Sequence, residues 1–168
     1  AAPAPPGGGD GMVGFWRFDE GTGSTATDSS GSGNTGTLMN SPTWTAGKIG
    51  NALSFNGSTT YVNINDATTI DVSTPGTVVA WIRRGVVGTW QSVIAKGTGN
   101  TGAAQNFAME FNQANGLEMT IGNGSSANTV TAPALTDTAS FHHVAFVWTG
   151  SELRAYLDGG LAASQPQT

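Results

Sequence analysis

The sequence predicts an all-β chain, an antiparallel β-sandwich or jelly roll, and three observations carry that expectation. The first is composition: 25 of the 168 residues are Gly, with Thr, Ser and Asn spread throughout. Gly and Asn accept the positive backbone angles of tight turns and Thr suits a half-buried pleated surface, so the mixture favours many short strands. The second is rhythm: short apolar or alternating runs recur between Gly/Asn/Ser clusters. The third is the lack of a convincing amphipathic helix, in a chain where each interior Gly would cost a helix about 1 kcal/mol relative to Ala. Short strands with no strand–helix–strand alternation point to a sandwich or jelly roll.

The first strand is expected over residues 12–18, with Val13 and Phe15 on one face and Trp16 and Phe18 on the other. Residues 19–34 are too rich in Gly and Ser to be regular. Strands follow at 36–38, 52–55 and 61–64, the last two read as a hairpin around 56–60, which opens with the Asn56-Gly57 turn signal. Residues 77–84 alternate most clearly, setting Val79, Trp81 and Arg83 against Val78, Ala80 and Ile82. Phe15, Trp16 and Phe18, with Trp81, Trp148 and Tyr156, are the expected large buried aromatics. Strands at 91–96, 107–112 and 116–121 continue the series, the last two joined by Gln113-Ala114-Asn115. Residues 141–149 and 152–158 close it as a hairpin around Gly150-Ser151.

Composition also excludes several functions. The chain has no Cys, so neither a disulfide framework nor a thiolate metal site is available, but its length suffices for an ordinary core. Six Lys plus Arg against eleven Asp plus Glu leave a net charge of −5, too few cations to neutralise a run of phosphates, so no nucleic-acid partner is expected. No apolar run approaches the roughly 20 residues of a membrane span, so no membrane insertion is expected. Residues 1–11 read as a flexible Pro/Gly linker, and residues 12–168 as one domain. Such an opening suits a chain following a cleaved signal or a preceding module, hence a secreted or cell-surface setting.

Several segments together resemble the laminin-G-like, concanavalin-A-like jelly-roll domains. Gly14-Phe15-Trp16-Arg17-Phe18-Asp19-Glu20-Gly21 resembles that family's opening strand, and residues 28–36 resemble its Asp-x-Ser-Gly…Asn-x-Gly loop. Gly47-Lys48-Ile49-Gly50-Asn51-Ala52-Leu53-Ser54-Phe55-Asn56-Gly57 resembles a Gly-x-x-Gly-x-Ala-Leu-x-Phe-x-Gly segment, followed by a matching Tyr61-Val62. Residues 141–150 are similar to the penultimate hairpin, and Leu153-Arg154-Ala155-Tyr156-Leu157-Asp158-Gly159 to its return strand with a Tyr-x-Asp-Gly ending. The resemblance implies an antiparallel concanavalin-A-like jelly roll. It also implies two further closing strands after Tyr-x-Asp-Gly. Because the sequence stops at Thr168, the reading expects a C-terminally short domain whose sheet a neighbouring chain or subunit completes.

No catalytic residue is expected. Jelly-roll glucanases place carboxylates as Glu-x-Asp-x-x-Glu on one strand, whereas Glu110 and Glu118 stand singly and read as solvated. His142 and His143 are adjacent on a strand and so point to opposite faces, one expected half-buried near Trp148 and the other in solvent. Calcium is the candidate cofactor, with Glu20, Asp28 and Asn34 as ligands in an oxygen-rich loop; the competing reading is that Asp28 caps its own loop through an Asx-turn. Trp44 and Trp90, outside clear alternation, are the candidate ligand-binding aromatics, or else fold back over the core. These readings give a non-catalytic extracellular binding or adhesion module for a glycan or surface protein, with a structural building block of a fibre, appendage or virion as the alternative.

Overall fold

The computed structural model describes residues 11–71, 75–97, 105–122 and 124–167. The expected linker falls outside these residues except for Gly11. The chain divides into two compact units, Ala1–Asp71 and Val72–Thr168. Both are antiparallel β, as the sequence predicts, and regular helix among the described residues is limited to one 3-10 turn at Thr68–Ile70.

The first unit holds β1 (Thr25–Ala26), β2 (Gly36–Met39), β3 (Thr43–Ala46), β4 (Asn51–Ser54) and β5 (Tyr61–Ile64). They form a β1-β2-β5 sheet and a separate β3-β4 hairpin. Two expectations fail here. Residues 12–18 make no strand, only an isolated bridge between Trp16 and Asp28. The Phe15 N–H donates to the Asp28 carboxylate rather than to a ladder, and Phe18 takes a φ of 56° that breaks an extended run. Nor do β4 and β5 form a hairpin. The Asn56 side-chain oxygen accepts from the N–H groups of Ser58, Thr59 and Thr60, curling the connection so that β4 pairs with β3 and β5 with β2.

The second unit holds β6 (Gly76–Ile82), β7 (Gln91–Gly97), β8 (Gln105–Phe111), β9 (Gly116–Gly122), β10 (Ala127–Ala134), β11 (His142–Trp148), β12 (Glu152–Leu157) and β13 (Gly160–Pro166). Two four-stranded sheets result, β10-β9-β8-β7 and β13-β12-β11-β6. Met109, Phe111, Leu117 and Met119 of the first sheet share one core with Val144, Phe146, Trp148, Leu153 and Ala155 of the second, so this unit is a β-sandwich. Trp148 joins the layers: its ring lies 5.2 Å from Phe146 in its own strand and 6.2 Å from Phe107 in the other sheet. Gly76 makes that possible, because a Cβ there would strike the Trp148 indole.

Four strands are not anticipated by the sequence pattern: β1 and β3 in the first unit, β10 and β13 in the second. Both β10 and β13 are edge strands that contain a Pro, and β10 has a register shift between Thr131 and Ala134 that accommodates Pro133. The facing of β6 is also corrected. Val78, Ala80 and Ile82 pack against the core, whereas Val79 is 59% exposed and Trp81 is 46% exposed.

Candidate functional site

The carboxylate of Asp28 is the hub of its loop. Its Oδ1 accepts from the N–H groups of Phe15 and Ser30, and its Oδ2 from the Ser30 hydroxyl and the Asn34 N–H, all at 2.8–2.9 Å. Burial pushes the Asp28 pKa up, but the donors from Ser30, Phe15 and Asn34 outweigh it and leave the group below the usual carboxylate range. The Asn34 side chain donates to Val13 O at 2.7 Å and exchanges hydrogen bonds with Thr69, while Glu20 accepts from the Thr27 N–H at 2.7 Å. Asp28 and Asn34 thus spend their side-chain oxygens on protein donors and Glu20 spends one of its two, and no cluster of three acidic or histidine ligands converges among the described residues. In this arrangement they do not fit an ion that needs six to eight oxygens.

Trp44 lies in β3, partly buried, with its indole N–H 3.3 Å from Gly23 O in the first unit. Trp90 lies in the second unit just before β7 and is 53% exposed. Only Trp90 presents much ring surface.

The larger aromatic surface is one that alternation alone did not reveal, on the outer face of the β13-β12-β11-β6 sheet. The register sets Trp81 opposite His143, Val79 opposite Ala145, and Ala145 opposite Tyr156. The Trp81 and His143 rings meet edge-on at 5.2 Å. Just beyond the strand ends, Arg83 lays its guanidinium carbon 5.0 Å from the centre of the Phe141 ring. On β12, Arg154 donates to Glu152 at 2.7 Å, a bond that raises the Arg154 pKa and lowers that of Glu152.

One residue on, Arg84 turns inward and is 4% exposed. Its Nε donates to Gln91 at 2.8 Å, and its Nη1 to Leu135 O at 2.6 Å and to Asn115 at 3.2 Å. Its guanidinium lies 4.2 Å from the centre of the Phe111 ring, and Nη2 has no hydrogen-bond partner. Burial lowers its pKa, yet guanidinium keeps its proton in proteins, so a charge is held here by neutral acceptors. The signal was present in the sequence: two consecutive arginines at the end of the alternating run expected at 77–84 place one side chain inward, although β6 itself ends at Ile82.

Two further arrangements went unread. Glu110 and Glu118 are directly opposed across β8 and β9, with Glu118 held by the Asn112 amide at 2.7 Å. His142 is clamped between Asp158 and Asp137, and neither it nor His143 is near Trp148, which lies at the other end of β11.

A laminin-G family model described as the concanavalin A-like lectin/glucanases superfamily matches residues 56–168. No curated protein matches the chain. Among solved structures, a fragment of an S-layer domain-containing protein from Clostridium thermocellum is similar with a TM-score of 0.61 at 16% identity, over 90% of this chain and 71% of that one. The CBM40 module of a Ruminococcus gnavus sialidase, bound to α2,3-sialyllactose, gives a TM-score of 0.50 at 23% identity over 59% of this chain. The same module bound to α2,6-sialyllactose gives 0.50 at 22% identity. The chain spans only 56% and 58% of those two module chains.

Proposed function

This chain belongs to the concanavalin A-like lectin/glucanase superfamily, and we propose that it is a non-catalytic carbohydrate-binding module working outside the cell. The observation that carries the reading is Trp81, a large ring left 46% exposed on the outer sheet face that also holds Val79, His143 and Tyr156. An aromatic face supplies apolar area to the C–H groups of a sugar ring while neighbouring polar groups reach its hydroxyls. Trp90 is a second candidate contact, on a separate connection. The fold shared with a sialyllactose-bound module is consistent with this use, and the S-layer neighbour with a place at the cell surface. The described residues include no helix long and apolar enough to cross a membrane.

The test is a glycan array probed with the wild type and with Trp81→Ala. Binding to a defined set of glycans, weakened about tenfold or more by the substitution, is expected. An array with no binding above background by the folded wild type would remove the reading. A structural building block of a surface assembly is the second reading, favoured by the S-layer similarity across 90% of the chain. It predicts concentration-dependent association in sedimentation and no glycan binding.

A further inference from the structure

We infer that the glycan recognised at the Trp81 face is anionic, carrying a carboxylate or sulfate that pairs with Arg83; the inference rests on the carbohydrate-binding reading above. Arg83 is exposed, and among the described residues no carboxylate lies within ion-pair distance of it. It lies just past the end of β6, two residues from Trp81, and like Trp81 it is exposed, while Ile82 and Arg84 beside it turn inward. Contact with the Phe141 ring at 5.0 Å holds the guanidinium in place, which lowers the ordering cost of engaging a ligand.

Arg84 strengthens the case. It is buried with no carboxylate partner among the described residues, and its Nη2 makes no hydrogen bond. A buried, unpaired charge is costly, and chains normally neutralise one with a nearby carboxylate. Here two consecutive guanidiniums go without an acidic partner among the described residues, in a chain of net charge −5 that has only six Lys plus Arg. Their fields add at the end of β6, where the exposed member meets solvent. The other charges on this sheet are already paired. Arg154 is bound to Glu152, and Asp158 accepts from the His143 N–H and lies against His142. A planar guanidinium fork beside an aromatic ring suits a pyranose with a carboxylate or sulfate at its rim, the ring stacking on Trp81 and the anion meeting Arg83.

Titration calorimetry of the full chain tests this with four probes: lactose, α2,3-sialyllactose, an oligogalacturonate and a sulfated galactose oligosaccharide. The expected result is that one acidic probe binds about tenfold or more tighter than lactose, a preference that shrinks as salt is raised. Whether the carboxylated probes or the sulfated one carries that preference identifies the anion. Arg83→Gln is expected to erase the preference for the acidic probe, and Trp81→Ala to weaken binding of acidic and neutral probes alike. Arg83 is exposed, so its replacement keeps the fold, which circular dichroism would confirm. Equal affinity for acidic and neutral probes, or a preference that survives Arg83→Gln, overturns the inference and leaves the carbohydrate reading standing. Failure of all four probes, together with an empty glycan array, removes the carbohydrate reading itself.

Discussion

The Nδ1 of His142 lies 2.7 Å from the Oδ2 of Asp158, tying the start of β11 to the turn between β12 and β13. Its Nε2 lies 3.2 Å from Asp137, so the imidazole, 16% exposed, has a carboxylate on each nitrogen. A doubly protonated ring can donate to both, whereas a neutral ring turns one lone pair towards an anion. The Asp158 bond, opposed by burial and aided by Asp137, holds the His142 pKa above its ordinary value. The same contacts lower Asp158, and the Ala139 N–H and Ser140 bring Asp137 to about 2.

These shifts set a pH window. A raised histidine contributes fully below its unfolded value of about 6.5 and loses that contribution as pH rises through the folded value. The lowered carboxylates contribute above about 4 and lose it as pH falls through their folded values. The melting-temperature gap between wild type and His142→Gln should therefore be widest at about pH 5–6 and narrow towards pH 9. Thermal melts of both proteins across that range measure it, and a gap independent of pH would dismiss the clamp as an electrostatic element.

The two faces of β6 and β11 should answer differently to truncation. Phe146 is fully buried, so Phe146→Ala should cost about 3–5 kcal/mol. Trp81→Ala removes an edge contact with His143 and a half-exposed ring, and should cost about 1 kcal/mol. Urea denaturation of the two variants checks the ordering, and a larger loss for Trp81 would mean that the faces are reversed.

Glu110 and Glu118 oppose each other in the β8–β9 ladder, and like charges so placed repel. Glu118 has its Asn112 partner, so Glu110 is the one to replace. Glu110→Gln should stabilise by roughly 0.2–1 kcal/mol, more at low than at high salt. Destabilisation would show that the carboxylate makes a favourable contact.

The fold was legible where the period was strong, yet the period could not tell inside from outside. In β6, Val79 and Trp81 are as apolar as Val78 and Ile82, and one residue of register moves the whole set to the other face. Composition could not choose between them; pairing with β11 did, by placing Ala80 against Val144. The edge strands β10 and β13 were hidden by their proline and polar residues, since edge strands need no continuous apolar run. The His142 clamp and the Glu110–Glu118 pair depend on residues brought together from separate segments, which local spacing does not encode. Asp28 differed because its partners Ser30 and Asn34 are near neighbours in sequence, so an Asx-turn could be weighed from the residues alone.

The Asp28 loop gives the last test, since it separates a structural carboxylate from a metal ligand. Each Asp28 oxygen accepts two hydrogen bonds, and three of the four donors are backbone N–H groups, from Phe15, Ser30 and Asn34. Replacing Asp28 with Ala strands these donors together, and a part-buried donor left unsatisfied costs about 1–3 kcal/mol. Water reaches part of the loop, so Asp28→Ala should destabilise by about 2–3 kcal/mol in total. Its lowered pKa adds a pH signature: the contribution is present above the unfolded carboxylate value of about 4 and is lost as pH falls through the folded value. The variant and the wild type should therefore converge in stability in acid. Chelation should leave the wild-type melting temperature unchanged, because the side-chain oxygens of Asp28 and Asn34 and one of those of Glu20 are already engaged by protein donors. Calcium could compete only by displacing those donors, and would then raise the melting temperature in a way that chelator reverses and Asp28→Ala abolishes. That pattern in calcium-titrated melts would assign the loop to the metal after all.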